Sequence, residues 1–163
     1  MERIVGEETM EFFKALFSTL DKDKSGQLEK KELDLALSAC TTSEEDQEFL
    51  MSLVDENSDG KLNINEFMFL MIIAEANIEE CRKSVKAFNK YNTNKSDNLL
   101  DKKEVKALLA DLRTDVSDSE FEELFSILDF DSSGKLNKVE FHMLYKALKP
   151  IFEGKEDPLQ TQY

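Results

Sequence analysis

The sequence predicts an all-α protein: four helix–loop–helix units, paired into two lobes that a helical linker joins. Three observations carry this expectation. One pattern recurs four times along the 163 residues: an amphipathic helix, a polar loop ending in Glu, and a second amphipathic helix. Apolar residues keep the same offsets around every loop. The only two prolines, at 150 and 158, lie past the last helical pattern, so nothing upstream interrupts a helix.

In chain order, Phe17 and Leu20 precede the first loop, DKDKSGQLEKKE (21–32), and Leu33, Ala36 and Leu37 follow it at helical spacing. Thr42 with Glu45 has the form of a capping box ahead of the second unit, whose loop DENSDGKLNINE (55–66) is followed by Phe67, Leu70 and Met71. Asn77 with Glu80 can start the third unit. There Phe88 and Tyr91 lead into NTNKSDNLLDKKE (92–104), and Val105, Leu108 and Leu109 lead out. Ser117 with Glu120 caps the fourth, with Phe125 and Leu128 before DFDSSGKLNKVE (129–140) and Phe141, Leu144 and Tyr145 after it. The expected divisions are 1–76 for the N-terminal pair, 77–149 for the C-terminal pair and 150–163 for a flexible tail. Residues 71–91 contain no Gly or Pro, which leaves a break at Asn77 and a continuous linking helix both open.

Composition narrows the functions. A hydrophobic fraction of 40% suffices for real cores, and 35 acidic against 21 basic residues give a net charge of -14. That charge repels nucleic acid and anionic membranes and attracts cations and basic peptides. Cys40 and Cys81 form no disulfide framework, which points to a reducing compartment, cytoplasm or nucleus. MERIVGEETM lacks the features of a secretory signal and of N-myristoylation, and the apolar run FMFLMIIA (67–74) is too short to span a bilayer. An enzyme is not expected, since the sequence has no nucleophile paired with a base and no Gly-rich phosphate loop. His142 reads as a packed or surface side chain, and the Lys pairs at 30 and 102 read as solvated helix faces.

The loops carry the chemistry. A hard divalent cation as large as calcium takes six to eight oxygen ligands, and a short loop wraps them only by turning sharply at its centre. Oxygens at positions 1, 3 and 5, a carbonyl at 7, a water-mediated contact at 9 and a bidentate Glu at 12 meet that need. In the first loop these are Asp21, Asp23, Ser25, Gln27, Glu29 and Glu32; in the second Asp55, Asn57, Asp59, Lys61, Asn63 and Glu66; in the fourth Asp129, Asp131, Ser133, Lys135, Asn137 and Glu140. Gly26, Gly60 and Gly134 stand at the bends. Leu28, Leu62 and Leu136 at position 8 point inward while their backbones pair with the neighbouring loop.

These residues resemble the EF-hand family, and the four-unit layout over residues 9–149 is similar to its calmodulin-like branch. The strict motif D-x-[DN]-x-[DN]-G-x5-E is met by the second loop; the first and fourth carry Ser at position 5, which still offers an oxygen. The third loop departs further. Counting from Asn92 puts Asn92, Asn94 and Ser96 at positions 1, 3 and 5 with Asp97 at the bend, whereas counting back from Glu104 shifts the register by one. An insertion without Gly at the bend predicts an empty third hand and three calcium ions in all.

The resemblance implies a calcium sensor that presents an apolar groove to an amphipathic helix of a target protein. A cytosolic buffer or storage protein, and a constitutive light-chain-like subunit, are the alternatives. A monomer is expected. Met51, Met68, Met71 and Met143 are groove candidates, but Leu37, Leu50, Leu109, Leu124 and Leu144 stand where the resemblance places Met, which predicts fewer partners. In FMFLMIIA, Phe67, Leu70, Met71 and Ala74 form the inward stripe. Met68, Phe69, Ile72 and Ile73 leave the opposite face apolar, so a second covering surface is expected, from the other lobe or a target.

Overall fold

The computed structural model describes residues 6–40, 43–74 and 77–152. Helices form where the periodicity places them: α1 Glu7–Leu20, α2 Lys30–Cys40, α3 Glu44–Val54, α4 Ile64–Ala74, α5 Ile78–Tyr91, α6 Lys102–Asp111, α7 Asp118–Leu128 and α8 Lys138–Phe152. Contacts divide the chain into two compact units, Met1–Ile78 and Glu79–Tyr163. Residues 75 and 76, where a linking helix is expected, lie outside the described residues, and Asn77, directly ahead of α5, is not helical.

Each unit joins its two loops through position 8. In the N-terminal unit, β1 (Gln27–Leu28) pairs antiparallel with β2 (Leu62–Asn63), placing Leu28 opposite Leu62. In the C-terminal unit a single bridge does this work, with Leu100 and Leu136 each donating an N–H to the other's carbonyl at 2.8 Å. All four leucines are fully buried, so the bridge is dry and sits on the core.

The cores are built alike. A Phe one turn before the first loop meets the Phe that follows the second loop's Glu: Phe17 and Phe67 at 5.6 Å between ring centres, Phe88 and Phe141 at 5.6 Å, both edge to face. This geometry sets the positive ring edge against the negative face. Around the second pair close Tyr91, Val105, Leu108, Phe121, Phe125, Leu144 and Tyr145, among others. Ala36 and Met71, both expected inside, are half-buried.

The apolar face of α4 finds much of its cover at home. Met68 packs with Met10 and Phe13 of α1, flanked by Ile64, Met71 and Ile72. The covering surface expected from the other lobe or a target is thus supplied, at Met68, by a helix of the same unit. Phe69 and Ile73 are also buried.

Several boundaries differ from expectation. Ser117 and Glu120 form the predicted capping box, but α3 is capped by Ser43, whose hydroxyl accepts the Asp46 N–H; Thr42 lies outside the described residues. Helix α8 continues through Pro150 to Phe152, beyond the expected start of the tail. A proline this near a helix end removes one bond, to the Lys146 carbonyl. The turn before it is held by buried Leu148 and by Lys149 Nζ, 2.8 Å from Glu80. The side chains of Ile151 and Phe152, and residues 153–163, lie outside the described residues.

His142 is packed inside. Its Nδ1 lies 2.9 Å from Ser84 Oγ and its Nε2 3.9 Å from Cys81 Sγ. Ser84 gives its one hydroxyl proton to the Cys81 carbonyl, so it must accept from Nδ1–H, which leaves Nε2 to receive the thiol proton. Burial holds His142 down to about 4 and pushes the Cys81 thiol up to about 11, which makes both inert near neutrality.

Tyr91 and Tyr145, the tyrosines among the described residues, are buried in the C-terminal unit, and the chain has no Trp, so a change in tyrosine fluorescence follows the core of that unit. Phe141→Ala is expected to destabilise it by about 3–5 kcal/mol, read as a fall in the urea midpoint of tyrosine fluorescence in chelator. A change below about 1 kcal/mol would show that the paired rings do not anchor this core.

Candidate metal centres

The loops repeat one backbone scheme. Asp21, Asp55 and Asp129 each end a helix, donating their N–H to the carbonyl of Phe17, Met51 and Phe125. Each then turns its carboxylate back over the loop, where it accepts the N–H groups of positions 5 and 6 at 2.9–3.2 Å: Ser25 and Gly26, Asp59 and Gly60, Ser133 and Gly134. Asp23, Asn57 and Asp131 each add a side-chain oxygen to the position 5 N–H. The bend needs a left-handed residue at position 4 (Lys24, Ser58, Ser132) and another at position 6, where φ is +76 to +79° and Gly avoids the Cβ clash.

The closing Glu ties the two ends. Its Oε1 accepts the N–H of position 2 and its Oε2 that of position 9: Glu32 from Lys22 and Glu29, Glu66 from Glu56 and Asn63, Glu140 from Phe130 and Asn137. A carboxylate oxygen has two lone pairs, so each still has one to direct inward.

These donors fit a hard cation. Carboxylate oxygens of Asp21, Asp23 and Glu32 lie within 4.8 Å of one another, as do those of Asp129, Asp131 and Glu140. The second loop has the amide of Asn57 where the others have an Asp. Glu140 is fully buried, and burial pushes its carboxyl up to about 7; nearby Asp131 and Asp129 add to this against the N–H groups of Asn137 and Phe130. Gathering acids in this way is unfavourable unless a positive charge joins them.

Two positions have a second task. Asn63 and Asn137, at position 9, cap the exiting helices: each Oδ1 accepts two N–H groups, from Asn65 and Glu66 and from Val139 and Glu140. At position 7, the side chains of Gln27 and Lys61 cross to the neighbouring loop, Lys61 Nζ lying 2.9 Å from Glu29 and Gln27 Nε2 3.4 Å from Asp59. The sequence assigns position 7 by its carbonyl and gives no sign of this crossing.

The third loop satisfies both ways of counting. Asn92 donates its N–H to Phe88 like every first position. Glu104 accepts from Thr93 and Asp101 like every closing Glu, with the Thr93 hydroxyl added at 2.6 Å. The extra residue therefore lies between them, and the left-handed turn falls on Asn98 rather than Asp97. Asp101 caps α6 in a capping box with Glu104. Burial alone would raise Glu104, but the Thr93 hydroxyl and the N–H groups of Asp101 and Thr93 outweigh it and hold the carboxyl below its usual range. Lys135, at position 7 of the fourth loop, sets its ammonium 2.7 Å from Asp97, whose carboxyl it lowers. Asn92 Oδ1 is the one buried side-chain oxygen without a partner among the described residues. This donor set is poor in acid and already carries a cation, so it does not fit calcium as the others do.

Paired helix–loop–helix units with oxygen-lined loops define a calcium-binding class, and the comparisons agree. Two family models described as an EF-hand domain pair match residues 10–72 and 100–148, the second beginning after the divergent half of the third loop. The chain belongs to the EF-hand family and is a calmodulin-like calcium-binding protein. It is 26% identical over 136 residues to calcium-binding protein CML19 of Arabidopsis thaliana, covering 80% of this chain and 79% of that one. It is 25% identical over 161 residues to putative calmodulin-like protein 6 of Oryza sativa subsp. japonica (94% and 92% covered), and 26% over 142 residues to caltractin of Naegleria gruberi (86% and 81%). No helix among the described residues is long and apolar enough to cross a membrane.

The raised Glu140 carboxyl has a pH consequence. The fold holds that proton more tightly than the unfolded chain does, so the stabilisation is complete below 4.5 and disappears as pH rises to about 7. In chelator, the urea midpoint of the C-terminal unit should fall across that window, and Glu140→Gln should flatten the fall. A midpoint independent of pH there would contradict the packing of Glu140.

Proposed function

We propose that the chain is a calcium sensor that binds three ions, at the first, second and fourth loops, and docks an amphipathic helix of a target protein. When bound, calcium supplies the divalent charge that lets these carboxylates converge. The protein ligands are the eighteen residues assigned from the loop pattern, with Glu32, Glu66 and Glu140 closing the sites. The observation that carries the sensor reading is a groove of about 760 Å³ in the N-terminal unit, floored by Leu33, Leu37 and Met51 beside the first two loops. A buffer has no use for such a recess. The buffer reading draws its support from the C-terminal unit, where the corresponding pocket is about 200 Å³. Buried, unpaired Cys81 suits a reducing compartment, cytoplasm or nucleus.

Each of Glu32→Gln, Glu66→Gln and Glu140→Gln should reduce the calcium stoichiometry by about one in calorimetry, while Glu104→Gln should leave it near three. A loss on Glu104→Gln would show the third hand to be occupied. A hydrophobic dye should brighten on adding calcium; a flat response would favour the buffer.

A further inference from the structure

The two units carry the same surface in two conditions. In the C-terminal unit, α6 and α7 face each other across the smaller pocket, which Lys106 of α6 lines, with Lys102 one turn before it on the same helix. Lys106 Nζ lies 2.6 Å from Asp118 and 4.7 Å from the centre of the Phe121 ring. Lys102 Nζ lies 2.5 Å from Glu122 and 5.1 Å from that of Phe125. Both lysines are exposed, as the sequence suggests for Lys102, and each is held by an acid and a ring.

Counting outward from each loop, the N-terminal unit keeps the acids of this arrangement and the first lysine, as Lys30, but lacks the second lysine and the rings. Glu44 and Glu48 occupy the places of Asp118 and Glu122, but Asp34 replaces Lys106, Gln47 replaces Phe121 and Met51 replaces Phe125. The groove between α2 and α3 is the larger one, with Asp34, Glu44 and Glu48 on its rim above Leu33, Leu37 and Met51. Among the described residues none of these three acids forms an ion pair, and neither does Lys30, the counterpart of Lys102. Three acids against the one lysine, Lys30, around an apolar floor leave a net negative site that a further cation with an apolar neighbour would complement.

We propose that this N-terminal groove, and not its C-terminal counterpart, is the docking site. Its occupant is a partner helix that carries Lys or Arg within a turn of a bulky apolar side chain. Such a helix supplies from outside what Lys106 and Phe121 supply from within. The proposal rests on the target-binding reading above and specifies which unit binds and by what chemistry.

The test uses the full chain, isotopically labelled and calcium-saturated, and a synthetic amphipathic helix of leucine and lysine only, with a scrambled peptide of the same composition as control. Amide shifts should concentrate in α2 and α3, with one peptide bound, affinity falling as salt rises, and little binding of the scrambled peptide. Asp34→Lys with Gln47→Phe, which moves the internal closure into the N-terminal unit, should weaken binding by about tenfold or more. The surface pair Lys102→Asp with Lys106→Asp should open the second pocket and raise the stoichiometry from one to two. Shifts centred on α6 and α7, unchanged affinity in the Asp34→Lys, Gln47→Phe variant, or equal binding of the scrambled peptide would overturn the proposal, as would no binding at all. The same titration in chelator separates the two readings. Equal binding at α2 and α3 without calcium removes the sensor reading and leaves the groove assignment, whereas calcium-dependent binding at α6 and α7 does the reverse.

Discussion

One carboxylate per hand ties the fold together. The Glu at the end of each loop stands in the first turn of the exiting helix, and its two oxygens accept N–H groups from the second and ninth loop positions. A single side chain reaching across the loop therefore ties the start of the second helix to both halves of the loop. Hydrogen bonds to a charged acceptor are about twice as strong as neutral ones, so this contact can hold a loop of otherwise exposed polar groups. It also explains why the third hand keeps its shape with few acids at its ligand positions, since Glu104 retains both contacts and gains the Thr93 hydroxyl.

The hands in a unit are not independent. Position 8 joins the loops through the backbone, and position 7 sends a side chain across, Lys61 to Glu29 in one unit and Lys135 to Asp97 in the other. In the C-terminal unit the crossing ammonium enters the loop that is poorest in acid. The fourth loop thus lends the third a positive charge, and the pair is braced at Leu100 and Leu136 from one side and at Asp97 from the other.

The units share a core plan yet differ on the outside. The two edge-to-face Phe pairs are superposable in role, because both sit at fixed offsets from the first and second loops of their unit. The surfaces between the loops' helices face weaker constraints. Exposed ion pairs such as Lys106–Asp118 contribute only about 0–1 kcal/mol, so exchanging Lys for Asp there alters what the surface can bind far more than it alters the fold.

Much of this was legible in the sequence. Helix periodicity, the apolar offsets, the closing Glu of each loop and the glycines at the bends are local patterns, set by residues close together along the chain. The fourth unit's capping box was legible for the same reason. Tertiary structure alone decided that Asn92 and Glu104 both keep their places, with the insertion absorbed at a left-handed Asn98, because the end of a helix fixes one register and the bridge to Leu136 fixes the other. It alone set the exposed Lys102 and Lys106 over the rings of Phe125 and Phe121, and it brought Met10 and Phe13 onto Met68. These contacts join residues far apart in the chain, and no single segment's periodicity encodes which distant face will cover it.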